Sequence, residues 1–140
     1  MRRLAAFAAL GSSIALSAAA QAQAPIPTRV PLGVIPVAPG KSVDRVETNR
    51  VDFAPGQAMP RHKHTVPVIC FVAKGEFLVK IGDAPERRAA QGSTTYEPPE
   101  VIVHYFRNAS STDPAQLLCA SLASKDDKVL NVMLDPEQRP

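Results

Sequence analysis

From Arg45 to Leu134 the chain alternates short apolar runs with clusters of Gly, Pro, Asp, Asn and Ser. The runs are Arg45–Phe53, Met59–His64, Pro67–Ala73, Glu76–Ile81, Ser93–Glu97, Val101–Arg107, Gln116–Leu122 and Val129–Leu134. Between them lie Pro55-Gly56, Lys74-Gly75, Gly82-Asp83, Gln91-Gly92, Pro98-Pro99, Asn108–Pro114 and Ser124–Asp127. About eight short strands, with a turn signal every ten residues or so, predict an all-β sandwich or barrel. No window beyond the first 22 residues carries an apolar stripe at 3.6-residue spacing. There is no internal repeat.

The N-terminal stretches break this pattern. Met1-Arg2-Arg3 is a basic head, Leu4 to Ala20 is apolar and small-residue rich, and Ala20-Gln21-Ala22 offers a small-x-small cleavage site. Residues 1–22 therefore read as a cleaved signal peptide. A retained anchor fits less well, because the run is alanine-heavy and too short for a span. The expected destination is the periplasm or the outside. Residues 23–40 form a proline-rich arm with Pro25, Pro27, Pro31, Pro36 and Pro39. Proline cannot donate to a sheet ladder, so the arm is an extended or edge piece. Its interleaved Ile26, Val30, Leu32, Val34, Ile35 and Val37 want an apolar surface. That surface is either the chain's own barrel or that of a partner in a homodimer, and the two remain open. The barrel itself is expected over 41–135, with a tail at 136–140.

Charge excludes one class of partner. The chain holds 16 Lys+Arg and 13 Asp+Glu. Without Arg2 and Arg3 of the leader, 14 basic residues face 13 acidic ones, a net of +1. No Lys/Arg block resembles a nucleic-acid footprint. After cleavage nothing points to a membrane either. The two cysteines, Cys70 and Cys119, sit in apolar runs and read as buried thiols acting as small hydrophobes. An oxidising compartment also permits a bond between them.

The three histidines carry the candidate chemistry. His62 and His64 are two apart in a strand-like run, so both imidazoles share one face while Arg61 and Lys63 share the other. Two imidazoles about 7 Å apart along a strand can chelate one ion. The spacing around them adds to this. Gly56, five residues, His62, one residue, His64 and, eleven positions on, Gly75 reproduce the frame of the first cupin motif. Pro99, four residues, His104, three residues, Asn108 resembles the second. Tyr96-Glu97-Pro98-Pro99 and Arg107-Asn108-Ala109-Ser110 also look like small stand-alone bacterial cupins. The chain thus resembles the cupin superfamily over roughly residues 50–123.

The resemblance implies an antiparallel jelly-roll barrel, or double-stranded β-helix, with His62, His64 and His104 as metal ligands. Two departures stand out. The family's glutamate ligand would fall at Val68, or at Ile69 with the longer spacing, and neither binds metal. The second motif's glycine is replaced by Val101, so the turn before His104 must differ, and a one-residue slip would send His104 outward. Three neutral imidazoles would leave a divalent ion its full charge and an open position. They suit Fe, Zn, Cu or Ni better than Mg or Ca. Such an ion favours a carboxylate or enolate.

Strand parity sends Val68, Cys70, Phe77, Ile102 and Phe106 toward an apolar pocket for a small, partly apolar ligand. Cys70 lies one strand repeat beyond Val68 and could approach the metal, though packing is its ordinary role. Glu97, an acid shortly before His104 in sequence, reads as a solvated strand-end residue or as a substitute ligand or hydrogen-bond partner to an imidazole. Two functions follow: a metal-dependent enzyme of dioxygenase or Lewis-acid type, or a non-catalytic periplasmic protein that binds a small ligand or metal. A structural barrel whose site has decayed is a third reading of the lost glutamate.

Overall fold

The computed structural model of the protein describes residues 29–37 and 42–134. The expected signal peptide and C-terminal tail lie outside them. The chain divides into two units, Met1–Val30 and Pro31–Pro140. Of the first, only the exposed Arg29 and Val30 are described. Of the arm, residues 29–37 form no strand, and Val30, Leu32, Val34 and Val37 are all exposed.

In the second unit the described residues form nine strands and no helix. These are β1 (Arg45–Phe53), β2 (His62–His64), β3 (Val68–Lys74), β4 (Glu76–Ile81), β5 (Arg87–Ala90), β6 (Thr94–Glu97), β7 (Ile102–Asn108), β8 (Ala115–Ala123) and β9 (Asn131–Met133). They make two antiparallel sheets, ordered β1-β8-β3-β6 and β5-β4-β7-β2-β9. The all-β antiparallel expectation holds. The addition is β5, whose Arg87-Arg88-Ala89-Ala90 has little strand propensity. It forms because it borders β4, and only Ala89 is buried.

Alternation along each strand builds the interior. In β3, Val68, Cys70 and Val72 are buried, while Phe71 is exposed. Phe53, Phe77 and Phe106 meet edge-on, with ring centroids 5.0 Å and 6.2 Å apart. Val72, Val79, Val103 and Leu117 fill the space around them. Truncating one such phenylalanine to alanine costs about 3–5 kcal/mol. The turn from β3 to β4 requires Gly75. Its φ is +79°, and a Cβ there would lie 2.8 Å from that of Ala115.

Candidate metal centre

β2 is three residues long, yet it is pinned on both sides. His62 pairs with Val103 of β7 and with Met133 of β9, and His64 pairs with Asn131. This fixes the inward face: His62 is buried, and His64 is half-buried. Their rings stand nearly perpendicular, with centroids 5.0 Å apart. The shared face expected from the two-residue spacing is what forms.

The third group comes from the neighbouring sheet. Glu97, at the end of β6, is only 3% exposed, which corrects the solvated strand-end reading. Its Oε2 lies 3.0 Å from His64 Nε2 and 3.4 Å from His62 Nε2. One ligand atom from each of these three residues lies within 4.8 Å of the others. Glu97 pairs directly across the β3–β6 ladder from Val68, the position where the glutamate was missing. Directly opposed side chains share a face, with Cβ atoms about 4.5–5.5 Å apart. The carboxylate thus reaches the histidines from one strand over.

The hydrogen-bond roles show that these residues fit a cation. His62 Nδ1 donates to the Pro60 carbonyl at 2.8 Å, and His64 Nδ1 donates to the Leu130 carbonyl at 3.2 Å. A carbonyl only accepts, so each Nδ1 carries a proton, and the neutral ring presents a lone pair at Nε2. Two lone pairs and a carboxylate then converge, with only acceptors among them. Such a set is stable around a metal ion, or around protons standing in for one. The backbone bonds to Nδ1 also orient the rings, as metal-ligating histidines require.

Titration follows the same geometry. Burial opposes charge on His62, but the Glu97 hydrogen bond, the Pro60 carbonyl and the Glu97 charge together outweigh it and raise the pKa. Burial likewise pushes Glu97 up, and hydrogen bonds from His62 and His64, with their charge, more than reverse this and lower it. His62 and Glu97 favour each other's charged form.

His104 does not join this group. On β7, Val103 pairs with Ile81 and Tyr105 with Lys80, so His104 is the extra residue of a β-bulge. The inward positions of β7 become Val103, Phe106 and Asn108. The turn before it shifted as well. The left-handed residue is Glu100, at φ 61°, rather than the β-branched Val101. Glu100 is tied down by its N–H to the His64 carbonyl (2.7 Å) and by its carboxylate to Lys63 (2.5 Å). Asn108 is held in place by donating to the carbonyls of Ala54 and Asp113.

The cysteines correct the free-thiol reading. Cys70 of β3 and Cys119 of β8 face each other across the ladder and form a disulfide. Both line a cavity of about 320 Å³ together with His62, His64 and Glu97. Of the pocket residues expected from parity, Val68, Cys70 and Phe106 line it. Phe77 is buried in the core behind it, and Ile102 pairs with Lys63 on the opposite face of the sheet. Val51, Phe53, Met59, Leu117 and Leu130 complete the apolar wall, while Asn49, Ser121 and Asn131 add polar groups. Asn49 sits in polar sequence and Asn131 is the lone polar residue of the apolar run Val129–Leu134, and neither carries a signal of its own. Ser121 was legible only as an odd-numbered β8 position, in step with Leu117 and Cys119.

A family model described as Cupin domain matches residues 49–121. Among curated proteins, the chain is similar to Oxalate oxidase 2 of Hordeum vulgare, 33% identical over 87 residues, covering 57% of this chain and 39% of that protein. It is similar to Germin-like protein 3-3 of Oryza sativa subsp. japonica, 31% identical over 87 residues, covering 57% and 38%. Among solved structures it is similar to an oxalate oxidase in complex with the substrate analogue glycolate. There the identity is 30%, the coverage 64% of this chain and 46% of that one, and the TM-score 0.55. The chain spans about two-fifths of the length of these curated relatives.

Proposed function

The chain belongs to the cupin domain family, and from that premise we propose that it is a metal-dependent cupin enzyme acting on a small carboxylate or enolate. His62, His64 and Glu97 would hold one divalent transition-metal ion. The observation that carries this is the convergence of two Nε2 lone pairs and a buried carboxylate with only acceptors among them. Two imidazoles and one carboxylate around open positions are the donor set of non-haem Fe(II) oxygenases, and the oxygen donor also admits Mn(II). When bound, the ion supplies Lewis-acid polarisation of a substrate oxygen or a site for oxygen chemistry. One carboxylate leaves a divalent ion a net charge of +1, which favours an anionic oxygen ligand.

The chain's own residues set the rest. Phe53, Phe106 and Leu117 exclude water from one side of the cavity, and Asn49, Asn131 and Ser121 offer hydrogen bonds to a carboxylate. The names of the oxalate-oxidising relatives support a carboxylate substrate. Non-catalytic binding is the second reading. Among the described residues, Glu47 is the only ionisable side chain lining the cavity besides the three centre residues and Arg50, and Glu47 is exposed, which leaves few candidates for proton transfer. The leader and the disulfide support export to an oxidising compartment, and the exposed apolar arm supports a homodimer. The test is oxygen uptake by metal-loaded protein on a panel of small mono- and dicarboxylates. Uptake with one of them is the expected result. Binding without uptake favours the second reading, and neither binding nor uptake overturns both.

A further inference from the structure

Glu97 Oε2 faces the histidines, but its other oxygen faces sulfur. Oε1 lies 3.3 Å from Cys70 Sγ. In a disulfide that sulfur has no proton to give, so a buried carboxylate oxygen stands without a donor among the described residues. A second unsatisfied group flanks the same cysteine. Thr95 pairs directly with Cys70 across the β3–β6 ladder, and its buried hydroxyl has no hydrogen-bond partner. Glu97 Oε1 is placed where a thiol at Cys70 would satisfy it. The disulfide also lines the cavity with His62 and His64.

Resting on the metal-centre reading above, the geometry points to Cys70 as a redox-released fourth ligand of the centre. A dithiol reductant gives up two electrons and two protons. The Cys70–Cys119 bond breaks, both cysteines become thiols, and the reductant closes as its own disulfide. Cys70 would then release its thiol proton to solvent and, as a thiolate, would help His62, His64 and Glu97 hold the ion. The oxidised centre keeps a harder donor set suited to Mn(II) or Fe(II). The reduced centre becomes a four-donor set suited to Zn(II) or Co(II).

The probe is cobalt(II), added to the full chain with and without prior reduction by a dithiol that is then removed without air. The oxidised protein is expected to bind about one cobalt per chain with no sulfur-to-metal charge-transfer absorption in the near ultraviolet. The reduced protein gains that absorption, and its preference for zinc over manganese rises by about tenfold or more. Cys119→Ala, which frees Cys70 without reductant, shows the band in the oxidised preparation. Cys70→Ala with Cys119 intact does not. Cobalt bound by the reduced protein without the band overturns this inference and leaves the metal centre standing. A band that persists in Cys70→Ala also overturns it. No cobalt bound by the oxidised protein overturns the metal centre itself. If both the reduced chain and Cys119→Ala lose their β circular dichroism, the bond is a structural cross-link only, and the inference fails.

Discussion

Moving the carboxylate back across the ladder tests how the centre is built. Glu97 and Val68 are directly opposed on β6 and β3, and both are buried. Glu97→Val removes a direct ligand, so it should weaken metal binding by more than the 10–100-fold typical of losing an outer partner. Consider metal present at about 100 times the wild-type Kd, where binding stabilises the fold by about 2.7 kcal/mol. For a barrel of this size that is a rise in melting temperature of about 10 °C. A 100-fold weaker site under the same conditions is worth about 0.4 kcal/mol, or about 2 °C. Val68→Glu alone sets two buried carboxylates opposite each other and should destabilise the metal-free protein by roughly 2 kcal/mol. The double variant Val68→Glu with Glu97→Val restores one carboxylate and should recover most of the thermal shift. Differential scanning fluorimetry with and without metal reads all three. A full shift in Glu97→Val refutes the claim that Glu97 is a ligand. A folded double variant with no shift refutes the equivalence of the two ladder positions.

Four further outcomes are expected. His62→Ala should abolish stoichiometric metal by elemental analysis, whereas His104→Ala should leave it unchanged, because the bulge keeps His104 out of the group. Acid should weaken metal binding, because the proton that His62 holds above its ordinary pKa of 6.5 occupies Nε2. In the metal-free protein the raised His62 pKa contributes stability that is full below its unfolded value and lost as pH rises through the folded one. The lowered Glu97 pKa contributes stability present above its unfolded value and lost as pH falls through the folded one. Denaturant titrations from strongly acidic to alkaline pH should therefore show a maximum between the ordinary carboxyl and imidazole values of 4.5 and 6.5, and a flat profile contradicts the coupling. Replacing both cysteines by serine opens a cross-link spanning 49 residues. The chain-entropy relation makes that worth about 4 kcal/mol, readable as a drop in the urea midpoint.

What the sequence made legible was local. The pair His62 and His64 could be assigned to one face because strand parity needs only the two residues themselves. Most strands followed from apolar runs and turn residues, and β5 was missed because two arginines and two alanines carry no strand signal. Glu97 was misjudged for a different reason. Its role depends on β6 pairing with β3 in the register that sets it opposite Val68, and pairing is non-local. The same holds for the disulfide, which needs β3 and β8 to be neighbours with Cys70 facing Cys119. His104 sits where the motif spacing asks for it, but it is the extra residue of the β7 bulge and lies outside the group of His62, His64 and Glu97. The replaced glycine marked that turn as the place where the family's geometry was open to change.

A metal ion held by His62, His64 and Glu97 is read out by elemental analysis of protein purified from its native compartment, with Glu97→Gln purified in parallel. Glu97→Gln keeps the side-chain size and removes the charge. About one divalent transition-metal ion per wild-type chain is expected, and a small fraction of that in Glu97→Gln. Wild-type protein without metal, and unable to take it up from a divalent salt, would contradict it, as would an equal metal content in the two.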